Sequence, residues 1–331
     1  MNLSEMIAVQ PQALRALAEL DVEPHAQRLR DARRILLVGT GTSHHAALLG
    51  AYLLRGGGLD ADAIASSELA HWRPAPASGD ALVLITHTGE TAYARAVRAA
   101  ALAAGTPLVT ITGDQVDWAE ALHTGTHERS ETYTVSYTAA LAVLALLAEA
   151  LTGVGTGAKA LRQLADRVQA VIADPGISQI TAPPRALALI GPGIWGVTAR
   201  EGALKLRESA HLLAEGFDSE KLLHGFAVPY GPADTLIALA PGADPDGLTS
   251  GLVRAAAGAG MTTHVLGDGD PGAGAAGTFL AQILATVRLQ LLAAQIALAN
   301  RTDADTVISG PWAKASLWAA GAPLASGRDQ E

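Results

Sequence analysis

The most constraining feature of this sequence is that it says nearly the same thing twice, about 150 residues apart. The apolar run Ile35-Leu36-Leu37-Val38 ends in Gly39-Thr40-Gly41, and Leu187-Ala188-Leu189-Ile190 ends in Gly191-Pro192-Gly193. Ser67-Glu68 recurs as Ser219-Glu220, the strand-like stretch from Asp80 recurs from Asp234, and Gly105 before TPLVTIT recurs as Gly260 before MTTHVLG. The offsets of these pairs are 152, 152, 154 and 155, a drift that loop changes absorb. In each copy short continuous apolar runs alternate with Ala/Leu-rich stretches of helical length. That pattern predicts βαβ units around a parallel sheet covered on both faces. The expected organisation is an N-terminal helical arm (1–30), a first α/β subdomain (31–152), a connection (153–184) with a helix from Ala158 to Ala173, a second subdomain (185–300) and a tail (301–331).

Composition narrows the function classes. Hydrophobic residues make up 49% of the 331, enough for a substantial core. Net charge is −9 with no Lys/Arg cluster, which argues against nucleic acid, since a phosphate backbone needs a concentrated basic face. The absence of cysteine excludes disulfides, thiol nucleophiles and thiolate metal sites. No secretory signal is evident at the N-terminus, and the apolar run Ala139–Ala148 is too short for a bilayer. A cytoplasmic protein with no membrane partner is expected.

In open parallel sheets, ligands bind beyond the carboxyl ends of the strands. Two segments there suit an oxyanion, Gly39-Thr40-Gly41-Thr42-Ser43 and Thr86-His87-Thr88-Gly89-Glu90-Thr91. Each offers hydroxyls and backbone amides at the positive end of a helix, although such turns commonly serve only as caps. A dinucleotide fingerprint fails at His44, where a third glycine belongs, so no nicotinamide cofactor is expected. In the second copy Glu201, Lys205 and Glu208 fall at i, i+4 and i+7, one face of a helix that follows the glycine turn. A solvated face of Glu–Lys pairs is the plain alternative. His224 follows on a loop, where a lone histidine is commonly a surface residue.

Taken together, these motifs resemble the double sugar-isomerase (SIS) domain family, over residues 30–315. That family includes the isomerase domain of glucosamine-6-phosphate synthase and aminosugar or ketosamine-phosphate isomerases, deaminases and deglycases. Gly41-Thr42-Ser43 is similar to its phosphate turn, and the 86–91 loop to a second one with His87 in place of Gln. Glu131 to Ser136 resembles a substrate-contacting segment, Glu201 to Glu208 the catalytic helix, Glu220 to Gly225 the histidine loop, and Leu289 to Asp305 with Lys314 the C-terminal helix and tail.

The resemblance implies two tandem three-layer αβα subdomains of flavodoxin-like type, arisen by internal duplication. It also implies an aldose–ketose isomerase that moves a proton between C1 and C2 of a sugar phosphate, without metal or cofactor. Gly41, Thr42, Ser43, Thr86, His87, Thr88, Thr91 and Ser136 would hold the substrate, and Lys314 would close over it. Glu208 would be the base, and Lys205 either a Schiff-base amine or a carbonyl-polarising cation oriented by Glu201. His224 would assist ring opening from across a homodimer interface. The family pattern departs at His87, which leaves room for another anion such as a sulfonate. It departs again at Ile308-Ser309-Gly310-Pro311 before Lys314. No glutaminase domain or N-terminal cysteine is expected, so ammonia from glutamine would not be available to the chain alone. Deamination with free ammonia, ketosamine-phosphate deglycation and non-catalytic sugar-phosphate sensing remain alternatives.

Overall fold

The computed structural model describes residues 2–267, 273–314 and 317. Helices α1 (Asn2–Ala8), α2 (Gln10–Leu17) and α3 (Glu23–Leu29) precede the first strand. The first copy then runs β1 (Arg34–Gly39), α4 (Thr42–Gly56), β2 (Ala61–Ala65), α5 (Ser66–His71), β3 (Asp80–Ile85), α6 (Ala92–Ala104), β4 (Leu108–Thr112) and β5 (Ala121–His123). Two long helices follow, α7 (Val135–Thr152) and α8 (Ala158–Ala173), the latter with the bounds expected from sequence. The second copy runs β6 (Ala186–Gly191), α9 (Trp195–Ala210), β7 (Leu213–Asp218), α10 (Ser219–Lys221), β8 (Thr235–Leu239), α11 (Leu248–Gly258), β9 (Thr262–Leu266) and α12 (Gly274–Asn300).

Both sheets are wholly parallel, in the orders β2-β1-β3-β4-β5 and β7-β6-β8-β9. The order is the same in each except that the first sheet gains β5, a three-residue strand too short to announce itself by apolar pattern. Two tandem flavodoxin-like α/β subdomains related by duplication therefore stand as the fold. The chain forms two compact units. Among the described residues, one comprises 12–128, 135–162 and the segment from 308 onward, and the other 2–11, 129–134 and the described part of 163–307.

The strands read as unbroken apolar runs because each sheet is covered on both faces. In the first unit Leu36, Val38, Leu82 and Leu84 pack with Val97 and Ala101 of α6. In the second, Ala188, Ile190, Leu236 and Ala238 pack with Leu252 of α11. On the opposite faces two glycines set the helix spacing. A Cβ at Gly50 of α4 would stand 2.7 Å from Leu37 Cδ2 and 3.1 Å from Leu144 of α7. A Cβ at Gly202 of α9 would stand 2.5 Å from Leu289 Cδ1 of α12 and 3.2 Å from Leu189. Glycine inside a helix costs about 1 kcal/mol relative to alanine; here it admits the leucine of a neighbouring helix.

At the other end of each sheet a buried aspartate ties strands together. Asp80 accepts from Arg34 at 2.7 Å, Arg33 at 2.9 Å and the Ala77 amide at 2.9 Å. Asp234 accepts from Arg185, the Gly231 amide at 2.7 Å and the Ala186 amide at 3.1 Å. Burial alone would raise both carboxyl pKa values, but the guanidinium and amide donors outweigh it and hold both below the usual carboxylate range.

The apolar run at Ala139–Ala148 proves to be the middle of the 18-residue α7, and α12 is also long and apolar enough to cross a membrane. In each, 78% of the apolar window is buried within the protein, as in the core helices of a folded domain. Residues 315–316 and 318–331 of the expected tail lie outside the described residues.

Candidate active site

α9 gathers the ionisable groups that the heptad-like spacing placed on one face. Glu201 is fully buried and Lys205 is 1% exposed, so the cluster is not a solvated surface stripe. Lys205 Nζ lies 2.7 Å from Glu208 Oε2 and 3.4 Å from Glu201 Oε1, and it also donates to the main-chain oxygen of Thr132. The Glu208 side chain keeps 20% exposure and is the member of the cluster open to a ligand. Burial alone would lower the lysine pKa, yet Glu201 and Glu208 outweigh it and hold the amine protonated, above its ordinary value. Two carboxylates on one ammonium leave a net negative charge in a dry setting. Such a group can take a proton at Glu208 and stabilise a developing oxyanion from Lys205. A lysine held as ammonium suits polarising a carbonyl better than attacking one.

The helix is anchored around this cluster. Thr198 donates to Gln282 of α12 at 2.8 Å. α9 ends at His211, whose left-handed φ of 52° sends the chain into β7.

The two loops expected to take an anion belong to the other unit. The first depends on Gly39, since a Cβ there would lie 2.4 Å from the Ser43 backbone. The strand thus turns directly under the helix, and Gly41 (φ 56°) caps α4 without a side-chain bond. Half-buried Thr42 and Ser43 occupy the first turn of α4, at the positive end of a 15-residue helix.

The second loop leaves β3 at Thr86, which is buried and donates its amide to Ile111 at 3.0 Å. The His87 carbonyl accepts from the Gly113 amide and from Gln115 Nε2, each at 2.9 Å. Thr88 Oγ1 accepts from the Glu90 amide at 3.2 Å, and Thr91 is the N-cap residue of α6. The His87 imidazole is pushed down to about 4, mainly by burial and then by His127, against an opposing pull from Asp114. It is neutral at physiological pH.

The remaining expected residues are placed differently. Ser136 stands in the first turn of α7, and both its amide (3.1 Å) and its hydroxyl (3.0 Å) donate to Glu128 Oε2. His224 sits in a wide turn over Leu222–Phe226, its side chain 71% exposed and 3.7 Å from Glu220 Oε1. Lys314 follows a short 3-10 turn, Gly310–Ala313, and is exposed. The structure thus joins Glu201, Lys205 and Glu208 directly, and shows two hydrogen-bond partners of expected residues that sequence reasoning missed, Glu128 for Ser136 and the Thr132 carbonyl for Lys205. Glu128 has no local signature, and the Thr132 carbonyl is a backbone atom that no residue-type pattern reveals. Among the described residues no group of three or more His, Asp or Glu side chains is placed to hold a metal ion.

Residues 28–150 match the SIS domain family. The chain is 29% identical over 309 residues to glutamine–fructose-6-phosphate aminotransferase (isomerizing) of Bacillus subtilis, covering 85% of this chain and 51% of that protein. It therefore spans about half the length of that relative. Among solved structures, tagatose-6-phosphate ketose/aldose isomerase from Escherichia coli superposes with a TM-score of 0.76 at 20% identity, covering 95% of this chain and 97% of that one. Glucosamine-6-phosphate deaminase from Thermotoga maritima superposes with a TM-score of 0.74 at 19% identity, covering 92% and 97%. At these identities the superpositions establish the shared fold.

Proposed function

We propose, from the match of residues 28–150 to the SIS domain family and the similarity of the chain to an isomerizing aminotransferase, that it is a sugar-phosphate aldose–ketose isomerase. The observation that carries the reading is the buried Glu201–Lys205 pair ending on Glu208, a half-open carboxylate 2.7 Å from an ammonium. Glu208 removes the proton from the carbon next to the substrate carbonyl; the C–H electrons form the C1=C2 double bond as the carbonyl electrons move onto its oxygen, which Lys205 stabilises. Glu208 then returns the proton to the former carbonyl carbon while the hydroxyl proton passes from the other oxygen to the first, so the second carbon becomes the carbonyl and the exchange between C1 and C2 is complete. As Glu208 gains the proton its hold on Lys205 weakens, which frees one N–H for the oxyanion when charge develops there. Glu201 keeps the ammonium in place.

The hydroxyls of Thr42, Ser43, Thr86, Thr88 and Thr91, with the Gly41 turn, take the anionic group, with neutral His87 as a hydrogen-bonding rather than a charged neighbour. Ser136 and Lys314 complete the substrate contacts. His224 acts from a partner subunit of a homodimer. In support, its side chain is 71% exposed and sits among exposed Leu223, Phe226 and Val228. A chain that remains monomeric and fully active at nanomolar concentration would remove that part of the proposal. The acidic, cysteine-free sequence fits a cytoplasmic enzyme.

The test is NMR of the protein in D2O with fructose 6-phosphate and with glucosamine 6-phosphate, each with and without ammonium. Deuterium entering at C1 or C2 supports the isomerase. Dependence on ammonium would move the reading to an aminosugar-phosphate deaminase. Binding of both sugars without exchange would favour a sensor or a ketosamine deglycase. Binding of neither would point to another anion, such as a sulfonated sugar.

A further inference from the structure

Lys205 takes one of its three hydrogen-bond acceptors from a segment 73 residues away in the chain, the strap Ser130–Thr134 that belongs to the same compact unit. The strap is pinned along its length. Arg129 pairs with Glu5 at 2.6 Å, and Glu131 Oε2 accepts from the Val307 amide at 3.1 Å. Gln290 Nε2 donates to the Thr134 carbonyl at 3.2 Å, and Gln290 is itself held by Gln10 at 2.6 Å. Inside the strap the Ser130 hydroxyl bonds Thr132 Oγ1 at 2.5 Å and accepts from the Thr132 amide at 3.3 Å, while the Tyr133 amide donates to the Ser130 carbonyl at 3.1 Å. Ser130, Thr132 and Thr134 are buried.

The turn closes on a backbone conformation that its residue disfavours. Tyr133 has φ 51°, in the left-handed region, where a bulky aromatic is an outlier. Among the described residues, His211 and Arg301 share this conformation at helix C-termini, where it is common, and Ala240 (φ 43°) shares it directly after β8. Tyr133 caps no helix end in that way; it stands two residues before α7. The peptide joining Thr132 to Tyr133 is oriented by that φ, and its carbonyl is the one turned onto Lys205. Strained backbone persists where surrounding structure enforces it and clusters at functional sites.

We infer that the Ser130–Thr134 strap is a positioning element, in which the left-handed turn at Tyr133 aims the Thr132 carbonyl at Lys205 and so fixes the ammonium's place and protonation. The inference rests on the reading of Lys205 as part of the reaction centre. Lys205 has three N–H donors and here three acceptors, Glu201, Glu208 and Thr132 O. With Glu208 as the acceptor that changes during turnover, Glu201 and Thr132 are the two that stay. The charged groups facing Lys205 are Glu201 and Glu208 on its own helix. From α12, packed against α9, the neutral Gln282 bonds Thr198 and the neutral Gln290 bonds the Thr134 carbonyl, while the strap gives Lys205 the Thr132 carbonyl. The raised pKa of Lys205 agrees with this arrangement.

The experiment is a substitution series ranked by tolerance of positive φ, read by lysine-selective ¹⁵N and ¹³Cε NMR titration. The chain has four lysines, so Lys205 is assigned by loss of its signal in Lys205→Arg. Tyr133→Gly and Tyr133→Asn accept the left-handed turn, and the Lys205 midpoint is expected to stay where it is. Tyr133→Val does not accept it, and the midpoint is expected to fall by about one pH unit, the scale of one hydrogen bond to a charged donor. The alkaline limb of kcat should follow, with KM changed less than kcat. Ser130→Ala, which removes the hydroxyl bracing Thr132, should lower the midpoint in the same direction and decides the matter where Tyr133→Val does not fold. A Lys205 midpoint unchanged in both Tyr133→Val and Ser130→Ala, or shifted equally in Tyr133→Gly, overturns the inference. Because the titration needs no substrate, it stands apart from failure of the isomerase reading, which would show as absent deuterium exchange with the Lys205 shifts intact.

Discussion

The two copies share a frame and differ in what their first helix carries. In the first copy the strand-ending Gly39 lies under Ser43, and in the second Gly191 lies under Trp195, where a Cβ would stand 2.6 Å from Trp195 Cβ. The hydroxyl turn of one copy is thus an apolar turn in the other, with Trp195 buried. Along the helices the contrast reverses. At the repeat offset of 152, Glu201 and Lys205 of α9 fall on Leu49 and Leu53 of α4, both fully buried, and Glu208 falls on Gly56. Where α4 buries leucine, α9 buries an ion pair. Leucine at those positions gains roughly 1.5–3 kcal/mol each by leaving water. The ion pair must offset desolvation with its own attraction and hydrogen bonds, and usually it only breaks even. Under the proposed function, the helix that gives up apolar burial at two adjacent turns trades stability for chemistry, whereas α4 keeps its buried leucines.

Four sets of substitutions would break or sharpen that contrast. The largest effect is expected from Glu208→Gln, which should lower turnover by about 10²–10⁴-fold. Binding of the sugar phosphate, measured by calorimetry, should survive; a variant retaining most of its kcat would show that the base lies elsewhere. Next, Glu201→Leu alone should cost about 3–5 kcal/mol in urea unfolding by removing the fully buried one of the two carboxylates that offset the buried ammonium. Glu201→Leu with Lys205→Leu, which makes α9 resemble α4, should recover most of that loss. If the double variant is as unstable as the single one, the ion pair is a stability element and the comparison fails.

The aspartate struts are a point where the copies should behave alike. Asp80→Asn and Asp234→Asn should each cost about 1–3 kcal/mol at neutral pH, the penalty for impairing a buried charged hydrogen bond. Both carboxyls have depressed pKa values in the folded protein. Their contribution is therefore complete above the unfolded value of about 4 and declines as pH falls through the lower folded value. Each substitution should flatten acid unfolding below about pH 4. The smallest effect belongs to His87, whose folded pKa of about 4 lies below the ordinary 6.5. Protonation favours the unfolded chain, so stability should drop as pH falls from 6.5 toward 4 and then level off. His87→Gln should remove that drop, on the order of 1–2 kcal/mol after solvent screening, as measured by thermal unfolding across this window.

Much of the frame was legible because the relevant signals are local. β1, β3, β6 and β8 lie under the repeated apolar runs, and α8 under its Ala/Leu-rich stretch, since strand and helix periodicities are written in adjacent residues. β5 was not legible, because three residues carry no period. The face shared by Glu201, Lys205 and Glu208 follows from 3.6 residues per turn alone, whereas its burial does not.

By itself the sequence determined the duplication, the parallel sheets, and the two kinds of helix start, one with hydroxyls and one with a downstream ionic face. Each is a consequence of residue spacing within a single element. The tertiary structure alone decided that Lys205 is buried and held as an ammonium, that Ser136 is engaged by Glu128, and that the Thr132 carbonyl meets the lysine. Burial and hydrogen-bond partnership depend on which distant backbone returns to a side chain. A carbonyl oxygen, common to every residue, leaves no mark in the sequence.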